Sequence, residues 1–148
     1  MAIHSALRKL FGGRQQPVDE EHARRLAVAQ LLLEIARSDL DVAPAEMAAI
    51  RGHLAHAYAL DETRLDELVA TASSRVERSV SLHDTVQLIN QALGPEDKAR
   101  IIGALWQVAY ADGRLDPYEE ALLRRLADLL YVPHRTFIRE KLKAAPPR

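Results

Sequence analysis

The chain has no cysteine. That absence excludes a disulfide scaffold, a zinc–thiolate site and a thiol nucleophile, and it fits a reducing compartment. Aromatic residues are scarce, at 5% of 148 residues, so Leu, Ala, Ile and Val must fill any core. An excess of charge is missing as well: 20 Lys and Arg stand against 21 Asp and Glu, a formal net charge of −1. Nothing in that balance draws the protein to nucleic acid or to an anionic membrane, and no nucleic-acid partner is expected. No apolar run reaches the roughly 18 residues of a membrane span. The N-terminus lacks the apolar stretch of a secretory signal, so a cytoplasmic protein is expected. No segment alternates apolar and polar residues at period two, which excludes an expected sheet.

Helix-favouring composition is what remains. Ala, Leu, Arg and Glu lose little side-chain freedom in a helix, and 48% hydrophobic content suffices for a core. A first long helix is predicted from near Asp19 to about Ser38, with Leu26, Ala29, Leu32, Leu33, Ile35 and Ala36 at spacings of three and four. A second should begin at Pro44, whose missing N–H is harmless in the first turn. Asp61 reads as the N-cap of a third, with Leu65, Leu68 and Val69 inward. Ser81 and Asp84 resemble a capping pair opening a fourth, which Gly94 would close. Pro95 restarts the chain into a fifth, ended at Gly113, with Ile101, Leu105, Val108 and Ala109 inward and Trp106 as a core anchor. A sixth opens at Asp116-Pro117 and breaks at Tyr131-Val132-Pro133. A seventh turns Phe137, Ile138 and Leu142 inward. The expected fold class is all-α: about seven helices in two pseudo-symmetric three-helix halves. Residues 1–17 form an amphipathic N-terminal segment and linker, 18–143 the helical domain and 144–148 a tail.

The two halves are visible as an internal repeat. Shifted by 73 residues without a gap, positions 31–69 meet 104–142 with 10 of 39 pairs identical. Asp39 meets Asp112, Pro44 meets Pro117, Glu46 meets Glu119, Arg51 meets Arg124, Tyr58 meets Tyr131, Thr63 meets Thr136 and Glu67 meets Glu140. Apolar positions follow, Ile50 with Leu123 and Leu65 with Ile138 among them. Each copy carries an acidic bend between its first two helices.

The string Ala111-Asp112-Gly113, then Asp116-Pro117 and Glu119, after an apolar helix with Trp106, resembles the TerB-like family of tellurite-resistance-associated proteins. The weaker copy at Asp39, Pro44 and Glu46 does so too, and the resemblance covers about residues 25–143. It implies an all-helical fold of two halves and a non-enzymatic stress-response role near the membrane. It also implies weak binding of a divalent cation, calcium foremost, or of a protein partner, through the two bends. The metal residues it points to are Asp39, Glu46, Asp112, Asp116 and Glu119. Leu40 and Ala43 stand where the second bend has Gly113 and Asp116, which makes the first bend poorer in carboxylates despite Asp41, so a metal is expected in the second bend or in a site where the two bends meet.

Each of these residues also has a structural reading. Gly113 suits the left-handed residue after a helix. Asp116 and Glu119, three apart around Pro117, form a capping box in which Asp116 accepts from the Glu119 N–H and Glu119 reaches back. Asp112 faces an unfavourable helix dipole and needs a partner: an Arg, a turn N–H or a cation. The spacing is not that of an EF-hand. On the structural reading the protein is an interaction scaffold whose acidic residues are caps and hold no metal. His53 and His56 stand three apart without a third zinc ligand at motif spacing, and solvated or partly buried histidines are expected there. No nucleophile–base pair, P-loop or G-x-S-x-G string is present, so no enzyme is expected. Leu7, Leu10 and Phe11, beside Arg8, Lys9 and Arg14, offer a peripheral membrane contact at the inner face of the membrane.

Overall fold

The structure is a computed structural model that describes residues 20–37, 42–78 and 81–146. Among the described residues it holds seven helices and no strand. They are α1 (Glu20–Ala36), α2 (Pro44–Tyr58), α3 (Glu62–Glu77), α4 (Leu82–Ala92), α5 (Pro95–Ala109), α6 (Pro117–Leu129) and α7 (His134–Ala144). The expected N-terminal amphipathic segment, the Asp19 cap and the residues Asp39 and Asp41 lie outside the described residues.

The local signals explain most boundaries. Pro44, Pro95 and Pro117 each sit in a first turn, where no helical acceptor is lost. Asp61 caps α3 by accepting from the Arg64 N–H at 2.8 Å, and Ser81 caps α4 through the Asp84 N–H at 3.3 Å. Gly94 does not close α4: it is the extended N-cap of α5, and α4 ends one residue earlier, with Leu93 as its C-cap. α5 likewise stops at Ala109, with Tyr110 as C-cap, before Gly113 is reached.

α1 is the axle. The expected one-sided stripe is instead burial all round, from Ala23 and Leu26 through Leu31–Leu33 to Ile35 and Ala36, because α2, α3, α4, α5 and α6 all pack on it. Fully burying a Leu or Ile contributes about 1.5–3 kcal/mol. Five such residues on α1 outweigh any cap in the molecule, so the packing of α1 sets the frame and the caps trim it. A helix so enclosed must also answer its polar groups, and Gln30 accepts from the Thr85 hydroxyl of α4 at 3.1 Å.

The second framework helix is α5. Trp106, fully buried, donates its indole N–H to the Phe137 carbonyl of α7 at 3.1 Å, and the two rings lie 4.9 Å apart. α1 packs most extensively on α3, and α5 most extensively on α7. On α7 only Phe137 is fully inward. Ile138 is half-buried and Leu142, expected inside, is 71% exposed. Among the described residues α7 packs mainly along α5 and α6, which leaves one face narrow enough for a single aromatic knob.

Candidate functional site

The helices that follow the two bends carry one carboxylate each in matching positions. α2 and α6 each begin with Pro followed two residues on by Glu, and Glu46 and Glu119 are both 2% exposed. Glu46 Oε1 accepts from the Ala43 N–H at 3.2 Å, the return half of a capping box. Ala43 has no side-chain acceptor, so the other half is missing. Glu46 Oε2 is buried with no hydrogen-bond partner among the described residues. A buried carboxylate oxygen left unanswered is costly.

In the second bend the chain leaves α5 through tight backbone bonds, Ala111 N–H to Val108 O at 3.1 Å and Gly113 N–H to Tyr110 O at 2.9 Å. Gly113 sits at φ +85° with open space where a Cβ would be, so its requirement is backbone conformation alone. Asp112 is exposed, and its Oδ1 accepts from the Arg114 N–H at 3.0 Å. A turn N–H is therefore its partner, one of the three expected. Asp116 caps α6, but it accepts from the Tyr118 N–H at 2.7 Å rather than from Glu119 as the capping box required. Glu120, next in line, pairs with Lys141 of α7 at 3.3 Å, and that ammonium lies 5.3 Å from the centre of the Trp106 ring. The second bend is thus tied to α7 and to the core tryptophan.

Among the described residues no three His, Asp or Glu side chains converge as a ready metal site. Glu46, Asp112, Asp116 and Glu119 are therefore acidic groups placed around two bends rather than a formed cage, and Asp39 lies outside the description. Sequence reasoning missed Glu34, a half-buried carboxylate on the last turn of α1. Burial raises its pKa above the ordinary value and Arg37 opposes the shift. The only trace in the sequence is a lone acid inside the apolar run Leu31–Ala36. His53 is half-buried and His56 exposed on α2, so the two are the solvated and partly buried histidines expected there. Burial, and then the neighbouring His56, lower the His53 pKa. No helix among the described residues is long and apolar enough to cross a membrane.

The sequence model of the family described as Tellurite resistance protein TerB matches residues 25–142. No curated protein sequence matches the chain, and no solved structure does.

Proposed function

The chain belongs to the TerB family, and from that membership we propose a non-catalytic stress-response module that weakly binds a divalent cation, calcium foremost, through its acidic bends. One observation carries the reading: Glu46 is buried beside the first bend with an oxygen that no hydrogen-bond donor answers among the described residues. A hard cation takes six to eight oxygen ligands. Glu46 with Asp39, and Asp112, Asp116 and Glu119 around the second bend, supply carboxylates, and the loop carbonyls would supply the rest. Two or three carboxylates per bend imply weak binding.

Calorimetry with millimolar Ca²⁺ on the full chain tests this reading. Heat is expected for the wild type and a reduced signal for Glu46→Gln and Asp112→Asn; no heat for the wild type ends it. Chelation by EDTA should then lower the melting temperature, since a ligand bound to the folded state stabilises it by mass action.

A second reading is supported by the hydrogen bonds themselves. Asp116, Asp112 and Glu46 each accept a backbone N–H within two or three residues, which is the work of caps. On that reading the protein is an interaction scaffold. Its partner surface would include the aromatic and aliphatic side chains exposed on α6 and α7 and the turn joining them, Tyr118, Leu129, Tyr131 and Leu142. A peripheral contact with the inner face of the membrane through Leu7, Leu10 and Phe11 is compatible with either. Sedimentation with liposomes, with and without residues 1–14, checks it, and equal partitioning removes it.

A further inference from the structure

The ends of α1 and α2 farthest from the bend that joins them enclose, together with α5, an open cleft of about 660 Å³. That is within the size range of small-molecule sites. One wall is apolar: Val28, Ala57, Leu93, Ile101 and Ala104. Two alanines there, with Gly103, leave the space open. A Cβ at Gly103 would come 2.7 Å from Glu140 Oε1, so glycine also lets the Glu140 side chain of α7 close one end.

The charges of the cleft are not evenly satisfied. Its carboxylates are answered within the protein: Asp97 by Arg100 at 2.7 Å, Glu21 by Arg25 at 2.7 Å, and Glu140 by Arg139 at 3.2 Å and Lys143 at 3.3 Å. Arg24 is different. Its ion pair with Glu20 spans 3.8 Å, too long for a hydrogen bond, and its Nε–H is buried with no acceptor among the described residues. His53 and His56 line the same cleft from α2 and add imidazole groups able to donate. An unanswered cationic donor next to an apolar wall calls for an acceptor that carries negative charge on an apolar body.

We propose that this cleft binds a small organic anion, its charged head on Arg24 with His53 and His56 nearby and its apolar body along Val28, Ala57 and Ile101. A metal ligand is disfavoured because no three ligating side chains converge there among the described residues, and a cationic ligand because the carboxylates are already engaged. The site is separate from the acidic bends and does not depend on what they bind.

The test uses the full chain and the fluorescent probe 8-anilinonaphthalene-1-sulfonate, a sulfonate on an aromatic body. Saturable one-to-one binding is expected, with displacement by octanoate but not by octyltrimethylammonium, which has the same tail and the opposite charge. Arg24→Gln should weaken octanoate about tenfold or more, the loss of one charge-assisted hydrogen bond. Ala57→Trp, at an exposed wall position that tolerates bulk, should abolish probe binding with the melting temperature held. Equal displacement by the cationic amphiphile, unchanged affinity in Arg24→Gln, or full binding in Ala57→Trp would each overturn the proposal.

Discussion

The segments α1–α3 and α5–α7 carry the two copies of the sequence repeat, and they fasten their helices with different chemistry. Ile50 and Leu123, Glu46 and Glu119, and Leu33 and Trp106 occupy equivalent places under the 73-residue shift, and all are buried. The fastenings differ. α6 has an aspartate cap where α2 has Ala43. Arg51 of α2 reaches Asp66 of α3 at 2.6 Å, while its counterpart Arg124 of α6 lies over the Phe137 ring of α7 at 5.6 Å. The core of the first corner is aliphatic, whereas the second is built on Trp106 and Phe137. Burial at a few apolar positions is the shared requirement, and the polar closures are interchangeable because each contributes only about 1 kcal/mol.

The two segments also slip by one residue against each other. α2 reaches its left-handed residue at Ala59 and α6 at Tyr131, 72 residues apart rather than 73. Both turns close in the same way, Leu60 N–H on Ala55 O at 3.1 Å and Val132 N–H on Ala127 O at 2.9 Å, the Schellman arrangement. The third helices therefore begin one residue out of the ungapped register, and Leu65 answers to Phe137, not to Ile138. The identities at Tyr58/Tyr131, Thr63/Thr136 and Glu67/Glu140 fall beyond or at the slip and do not mark equivalent places. Tyr58 is helical and half-buried, whereas Tyr131 is left-handed and 79% exposed.

Substitution at matched positions can break or sharpen this comparison. The largest difference is expected in the core. Trp106→Ala should cost about 3–5 kcal/mol and Leu33→Ala about 2–4, read by urea unfolding, with Trp106 the worse because the Phe137 carbonyl also loses its donor. Equal losses would mean that the two corners are anchored alike. Exchanging the caps comes next. Asp116→Ala should lose about 1 kcal/mol and Ala43→Asp should gain a similar amount, since both residues already hold extended N-cap backbone. No gain from Ala43→Asp would show that the first-turn N–H groups of α2 do not need a side-chain acceptor.

Glycine at the two left-handed positions should stabilise by about 0.5 kcal/mol, the balance of relieved strain and added chain entropy. The gain should be smaller for Tyr131→Gly, which also loses the contact with Lys98 at 5.6 Å, than for Ala59→Gly. The smallest effect concerns pH. His53 binds its proton less readily folded than unfolded, so its contribution is full above about pH 6.5 and declines as the pH falls below that. His53→Gln should retain more of its neutral-pH stability near pH 5, measured by thermal unfolding. Position 126, the counterpart of His53, is a buried leucine and brings no such dependence to the second corner.

Much of the fold was legible because proline, capping residues and helical spacing are local signals. Pro44, Pro95, Pro117, Asp61 and Ser81 opened helices where expected. The misreadings share one cause. Leu142, Gly94 and the partner of Asp116 depended on what lay across the chain or on the exact geometry of a turn, and periodicity carries neither. The acidic bends were legible as residues, but their hydrogen bonds were not. The cleft was not legible at all, because Arg24, His53, Gly103 and Glu140 come from four helices spread over most of the chain.

The sequence by itself determined the all-α class, the helix starts, the duplicated acidic bend and the family. These follow from backbone preferences and apolar spacing, which act over a few residues. Tertiary structure alone decided that the middle of α1 is buried on every side, that α6 reaches its left-handed turn one residue sooner than α2, and that, among the described residues, a Glu46 oxygen and the Arg24 Nε–H lack partners. Each of these is set by which surfaces meet, and burial removes the water that would otherwise have made every such group equivalent.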